Sequence, residues 1–423
     1  MRKILMAAYA CEPNSGSEPA VGWHWARQAA IHGYEVHVIT RSNNRKAIEE
    51  GRQDPAGDSL TFHYLDLPAP FLWAKARTGA AGLSLYYYFW QIALARKARE
   101  LQRRYHFDLL HNVTFANDWL PSGLAFVPRV PLIWGPIGGS THRAPADIER
   151  SWPTGSRRYE LVRRVMQRAF QTVDPLLWWT GRRADLVLPY TEEARQGLRA
   201  AVKQKSRTVV HIGVEQSRDP LEKPFSGTLT VTSGGRLVHW KGHDLVIEAL
   251  ARHLRAHPKS ARLQITGTGP WRSHLEGLAG TLGISDSVDF LGWLPDRATL
   301  LDIVSQADIY ALPTWRDGPP VAILEAMAVG TPILCLDLGA TAELVPSSAG
   351  ILIPPGPRES VVEAIADRIG WAHQHRLELQ EMGREASRRA SSHHTWVAIG
   401  HQIDEIYRSM LDSSAEESGA QRP

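Results

Sequence analysis

Residues 3–40 read KILMAAYACEPNSGSEPAVGWHWARQAAIHGYEVHVIT. The run Lys3–Ala8 has the continuity of a short strand buried on both faces. Small and turn-forming residues follow, and Pro19 stands where the first turn of a helix tolerates a missing N–H. Ala20–His32 then carries a helical pattern that Gly33 stops, and Glu35–Thr40 reads as a second strand. Strand, helix and strand in that order form a βαβ unit, which implies a parallel sheet.

Working outward, further strands are predicted at Leu60–Leu65, Leu109–His111, Leu132–Trp134 and Asp185–Pro189, the last after a long, Arg-rich helical segment. The residues from Gly213 to Gly227, with Pro220 and Pro224, read as a linker. A second alternation begins at Leu229–Gly234. Strands are predicted at Arg262–Thr266, Val288–Leu291, Ile309–Leu312 and Ile333–Cys335. Helices are predicted at Asp244–His257, Trp271–Leu282, Thr299–Gln306 and Val321–Val329. The expectation is an α/β chain of two Rossmann-like doubly wound domains, 1–212 and 228–393, joined by linker 213–227. A terminal helix (394–411, helical from about Trp396) and a disordered polar tail (412–423) complete it.

Composition agrees with a folded globular chain: 423 residues, 43% hydrophobic and 22% charged. Cys11 and Cys335 are the two cysteines, too few for a disulfide framework or a cysteine metal site, which predicts a reducing, cytoplasmic setting. The opening apolar run is too short for a signal-peptide core. A net charge of +4 does not point to nucleic acid as a partner. Local charge is more telling. Residues 71–105 hold seven basic residues against one acid, and 151–183 hold seven against two. Both segments interleave aromatics such as Trp73, Phe89, Trp90, Trp178 and Trp179, which suits an anionic membrane surface, or else marks solvated helical faces. The uncharged stretch 78–95 contains Ser84, Gln91 and three tyrosines and reads as an amphipathic or buried helix rather than a membrane span.

Three stretches carry candidate chemistry. Residues 11–19, CEPNSGSEP, precede a helix and leave backbone N–H groups around Gly16 free for an anion, or form an ordinary loop. Residues 233–244, SGGRLVHWKGHD, place Arg236 and Lys241 between the end of a strand and the start of a helix, where two cations would neutralise a diphosphate or else form surface salt bridges. Residues 313–332, PTWRDGPPVAILEAMAVGTP, set Asp317 in the loop before a helix and Glu325 about one turn inside it. A carboxylate there holds vicinal hydroxyls, or is simply a solvated acid.

The order Gly-Gly-Arg236 with Lys241-Gly, Ile-Thr-Gly267-Thr-Gly269-Pro, Phe290-Leu-Gly292-Trp and Asp317-x7-Glu325-Ala-Met-Ala-x-Gly-x-Pro resembles the family-4 retaining glycosyltransferases of the GT-B fold, of the bacterial polysaccharide type. The resemblance spans nearly the whole chain and is most specific between Ser233 and Pro355. It implies two Rossmann-like domains facing across a cleft, an acceptor-side first domain, a nucleotide-sugar-binding second domain, and a terminal helix that crosses back to the first. It also implies roles. Arg236 and Lys241 would neutralise the donor diphosphate, Glu325 would bind the ribose, and Asp317 would hold donor-sugar hydroxyls. Gly292, Trp293 and Leu294 would lie beside the base, with Gly16, Gly235 and Gly267 close to the donor.

Three departures from the family pattern stand out. Asp317 is one methylene shorter than the usual Glu. Pro319 and Pro320 lack the N–H groups that often bind the sugar, leaving Gly318 for the sugar and Val321 and Ala322 for phosphate. Trp134 stands near where many members place a His, so Glu18, His111, Asp118, Trp134 and His142 remain as acceptor-side candidates, with Trp315 as a sugar-stacking candidate. The expected activity is transfer of a hexose, with retention and without a metal or other cofactor, from a nucleotide-diphosphate sugar to a glycan or lipid-linked acceptor at the inner face of the cytoplasmic membrane. The rival readings are a nucleotide-sugar epimerase of the same architecture and a non-catalytic interaction partner.

Overall fold

The computed structural model of the chain describes residues 1–13, 15–51, 59–139, 143–215, 220–221, 227–316 and 318–420. They build two six-stranded sheets in which every pairing is parallel. The first contains β1 (Lys3–Ala8), β2 (Glu35–Thr40), β3 (Leu60–Tyr64), β4 (Leu109–Thr114), β5 (Leu132–Ile137) and β6 (Leu186–Pro189), in the order β3-β2-β1-β4-β5-β6. The second contains β7 (Leu229–Gly234), β8 (Ala261–Thr266), β9 (Val288–Gly292), β10 (Ile309–Ala311), β11 (Ile333–Leu336) and β12 (Gly350–Ile353), in the order β12-β11-β10-β7-β8-β9. Strand β12 had no counterpart in the sequence reading. Its four residues, Gly-Ile-Leu-Ile, are too short a run to separate from a loop.

Each sheet reverses direction once beside its first strand, between β1 and β4 and between β7 and β10. In open α/β sheets, that switch leaves a crevice at the carboxyl ends of the strands where ligands bind. The apolar continuity of the central strands follows from their position. Ile4 to Ala8 of β1 are fully buried, as a strand covered on both faces requires.

The chain divides into two compact units, comprising the described residues of Met1–Thr141, Glu160–Ile212 and Trp396–Pro423, and of His142–Tyr159 and Gly213–Thr395. The stretch 142–159 thus belongs with the second unit, although the sequence reading put it in the first domain. Its apolar residues explain the assignment. Ile148 and Trp152 are buried in the second unit's core, and the Asp147 carboxylate accepts the Arg358 N–H at 2.6 Å. At the linker, Val214 forms a parallel bridge with Thr395 and donates its N–H to the His394 carbonyl at 2.8 Å, whereas 216–219 and 222–226 lie outside the described residues.

The last helix, Trp396–Ala420, packs within the first unit against the Ser17–Ile31 helix. Trp396 stacks on His24 at 4.2 Å, and the Tyr34 hydroxyl donates to Asp404 at 3.0 Å. A Cβ at Gly400 would sit 2.3 Å from the Gln28 side-chain oxygen, so glycine permits this close approach. The helix runs past Leu411 to Ala420, which corrects the expected disordered tail over 412–420; 421–423 lie outside the described residues. No proline interrupts 412–420, and loss of the apolar period there does not end a helix already nucleated.

Candidate functional site

The switch of the second sheet is built by three loops. The loop after β7 opens at Gly235, φ 114°, which donates its N–H to the Thr266 carbonyl at 3.2 Å. Leu237 then donates to Thr268 at 2.9 Å and accepts from Trp271 at 3.1 Å, tying this loop to the one after β8. Gly267 has φ 100°, and a Cβ there would lie 2.1 Å from the Gly235 oxygen. Its N–H donates to the Gly292 carbonyl at 2.7 Å, which brings in the end of β9.

On the other side, the Trp240 carbonyl accepts from the Trp315 N–H at 2.8 Å and the Thr314 hydroxyl at 3.1 Å, fixing the loop after β10. Gly242, φ 75°, would place a Cβ 2.3 Å from the Pro313 oxygen. Gly267 and Gly242 are therefore required by contact between backbones as well as by φ, and Gly235 by φ alone.

This framework holds Arg236 exposed and Lys241 half-buried on one loop. Beneath them, the His243 ring meets the Ser233 hydroxyl at 2.8 Å, and burial together with the Lys241 charge pushes its pKa down to about 3. His243 is thus neutral, leaving Arg236 and Lys241 as the cations the loop presents. The helix Val321–Ala328 has Pro320 at its N-cap, which offers no capping side chain, and among the described residues no side chain caps the N–H groups of Val321 and Ala322. Gly318 is half-buried, Gly292 is buried, Leu294 is half-buried and Trp293 is 71% exposed. Asp317 lies outside the described residues.

Glu325 is largely buried and paired with Arg297 at 3.1 Å. Burial raises its pKa and the Arg297 charge opposes that rise. The Tyr310 hydroxyl is near the same carboxylate, and burial and the Glu325 charge keep it protonated. Arg297, Tyr310 and Arg316, whose guanidinium lies 4.2 Å over the Trp240 ring, were not identified from the sequence. The Trp-Arg-Asp sequence at 315–317 was the signal for Arg316; Arg297 is distant in sequence from Glu325 and had none. Trp315, offered as a sugar-stacking residue, is in the second unit's core.

The switch of the first sheet is simpler. Gly16 is exposed and precedes the helix Ser17–Ile31, in which Glu18 is the second residue. One Glu18 carboxylate oxygen accepts the Ala116 N–H, in the loop after β4, at 3.1 Å, and the other is buried without a hydrogen-bond partner among the described residues. Burial pushes its pKa up to about 7. The folded chain keeps that proton between about pH 4.5 and 7 while the unfolded chain has released it, so stability declines as pH rises through that interval. Glu18→Gln is therefore expected to stabilise the protein by on the order of 2 kcal/mol at pH 8 and by little at pH 4. Urea unfolding at the two pH values checks this. An equal effect at both would show that the carboxyl is not held protonated by the fold.

The other acceptor-side candidates divide. His111 is fully buried, with one ring nitrogen 2.7 Å from the Gly135 carbonyl and the other 2.6 Å from the Tyr407 hydroxyl. The carbonyl can only accept, so Nε2 carries the proton and Nδ1 accepts from Tyr407. Burial lowers its pKa to about 3. His111 is a core residue that ties the last helix to β4, and Trp134 is likewise in the first unit's core. Neither side chain lines a site, which corrects both assignments: strands β4 and β5 lie inside the sheet, where their side chains are covered. Asp118 is half-buried in the loop after β4, and His142 lies outside the described residues.

Two doubly wound sheets, each with a loop-lined switch, define the GT-B class. Solved structures agree: sucrose-phosphate synthase from Thermosynechococcus elongatus shares the fold with a TM-score of 0.66 at 17% identity, over 98% of this chain and 100% of that one. HepE of Anabaena, solved in complex with UDP and glucose, has a TM-score of 0.60 at 18% identity over 97% and 100%. Residues 228–370 match the family described as Glycosyl transferases group 1. The chain is 31% identical over 196 residues to the putative colanic acid biosynthesis glycosyltransferase WcaL of Escherichia coli, 44% of this chain and 48% of that protein. The similarity thus spans about half the length of such curated relatives.

Proposed function

We propose that the chain is a retaining, metal-independent glycosyltransferase. It moves a hexose from a nucleotide-diphosphate sugar to a hydroxyl of a lipid-linked glycan, in assembly of a bacterial surface or exopolysaccharide, at the cytoplasmic face of the membrane. The observation that carries this reading is the switch between β7 and β10, where backbone hydrogen bonds from both sides pin the loop bearing Arg236 and Lys241. Two cations held there suit a diphosphate, and the start of the helix at Val321 adds N–H groups. Glu325 takes the ribose hydroxyls, while Asp317 and Gly318 take those of the sugar. Relatives whose names concern colanic acid and exopolysaccharide support the polysaccharide setting.

In the reaction, the bond from the anomeric carbon to the diphosphate oxygen breaks as the acceptor oxygen bonds to the same face. The departing diphosphate takes the acceptor's proton. Arg236, Lys241 and the helix N–H groups stabilise the negative charge that grows on the leaving oxygen, and this is the chief catalytic contribution of the site. The first unit carries the acceptor side, with Glu18 as its candidate polar contact.

Calorimetry with UDP-, GDP- and ADP-sugars in EDTA tests the reading. One donor is expected to bind to the wild type and to lose affinity in Arg236→Ala. Binding that needs a divalent ion would remove the metal-independent part of the proposal, and absence of binding by every donor would favour a non-catalytic partner. Consumption of donor without an acceptor would favour an epimerase. Glu325→Ala is expected to weaken the selected donor about tenfold, or ~1.4 kcal/mol, through loss of charged hydrogen bonds to the ribose. Unchanged affinity in that variant would take Glu325 out of the site.

A further inference from the structure

From Glu160 onward, where it belongs to the first unit, the helix Thr154–Val173 lies inside out. Its inward side presents Glu160, Arg163 and Gln167, joined by hydrogen bonds from Arg163 to Glu160 at 3.0 Å and to Gln167 at 2.9 Å. Its outward side presents Leu161, Val162, Val165 and Val173, exposed by 57%, 45%, 59% and 71%, with Arg168 exposed among them. An amphipathic helix on a water-facing surface has the opposite arrangement.

Two neighbouring helices carry exposed apolar residues of their own. Phe170 meets the Tyr88 ring at 5.4 Å, and the Tyr88 hydroxyl donates to Asp174 at 3.2 Å, which seats the helix Ala69–Tyr105 alongside. The exposed stripe of that helix runs Leu85, Phe89, Ile92 and then Arg96, Arg99, Arg103, at helical spacing along one line. On the helix Pro175–Arg183, Trp178 and Trp179 are each 45% exposed while their indole N–H groups donate to the Gln171 and Ala125 carbonyls.

Apolar side chains that give way to arginines along one helix match the boundary between acyl chains and anionic headgroups. The former enter the chains, and the guanidinium groups meet phosphate. A second copy of the chain matches less well. A two-fold contact sets the same patch against itself and would bring these arginines together. We propose that this face, formed by the first-unit residues of these three helices, seats the protein on the surface of an anionic lipid bilayer. The protein lies on the bilayer: among the described residues no helix is long and apolar enough to cross one. The inference locates the membrane contact that the proposed function invokes, and it stands or falls separately from sugar transfer.

Sedimentation of the full chain with vesicles of phosphatidylethanolamine and phosphatidylglycerol (3:1), against pure phosphatidylcholine, tests it. The wild type is expected to partition about tenfold more strongly to the anionic vesicles. Val162→Gln with Val165→Gln is expected to lower partition to both by about tenfold. Arg96→Gln with Arg103→Gln is expected to remove the anionic preference alone. All four side chains are exposed, so the melting temperature and donor affinity should match the wild type. Failure of the wild type to bind anionic vesicles would overturn the proposal, as would partition that neither pair of substitutions changes. A dimer in light scattering that the Val162/Val165 pair dissociates, with no vesicle binding, would instead make this face a contact between copies. Loss of donor binding with partition intact would count against sugar transfer and leave the membrane contact standing.

Discussion

Arg236→Ala is expected to lower kcat by about 10²- to 10³-fold, with Lys241→Ala in the same range, the size seen when one preorganised donor to a developing oxyanion is removed. The leaving diphosphate gains charge as the glycosidic bond breaks, so a cation near it acts more strongly on the transition state than on the bound donor. Turnover should therefore fall more than donor affinity. The two residues sit on one loop tied through Gly235 and Leu237 on one side and Trp240 on the other, and they address the same diphosphate. Their losses should therefore be less than additive in the double variant. Arg236→Lys should recover part of the rate, since the charge returns without the planar fork. Steady-state kinetics with the selected donor reads all of these. Near-normal turnover in both single variants would exclude the loop from the chemistry.

Gly267→Ala is expected to disable the site by a different route. At φ 100° an L residue is strained, and the new Cβ would meet the Gly235 oxygen at 2.1 Å, a backbone atom with little room to move. Strain and clash together are expected to cost about 3 kcal/mol or more in stability, or to displace the Arg236 loop and abolish donor binding. Gly235→Ala provides the comparison. Its φ of 114° is equally unfavourable, but nothing lies within 4 Å of the added carbon, so the expected cost is only about 1–2 kcal/mol. Gly16→Ala, with open space and an ordinary φ of −95°, should be nearly neutral in stability. Urea unfolding and donor calorimetry on the three variants give the ranking. Gly267→Ala as stable and as tight-binding as the wild type would contradict the loop geometry.

Both predictions depend on features visible along the chain. Gly235, Arg236 and Gly267 stand next to strand ends, and Lys241 just before a helix start, because β7 and β8 are short runs alternating apolar with polar residues that end in glycine and threonine. Alternation of such runs with helical patterns was enough to predict parallel sheets, and Lys3–Ala8, Glu35–Thr40 and Leu229–Gly234 have the same limits in the structure as in the sequence reading. These features are local: backbone φ, hydrogen-bonding capacity and apolar period are properties of adjacent residues.

What depended on distant residues was not visible. His111 and Trp134 look like site residues in a strand-end motif, yet each is covered in the core, His111 by a Tyr407 that lies almost three hundred positions away. The pairing of Arg297 with Glu325 joins two helices whose starts the sequence marks but whose contact it does not. Ile148 and Trp152 lie in the first half of the chain and are buried in the second unit. The Thr154–Val173 helix shows the limit most plainly. Its period announces two faces, one polar and one apolar, but the period is unchanged by turning the helix over. The side that faces the protein is set by what the rest of the fold places beside it, here the Tyr88 and Asp174 contacts that leave Leu161, Val162 and Val165 facing outward. Order along the chain specifies which elements form and where they stop; burial and pairing are sums over neighbours far away in sequence, and exist only once the chain has folded.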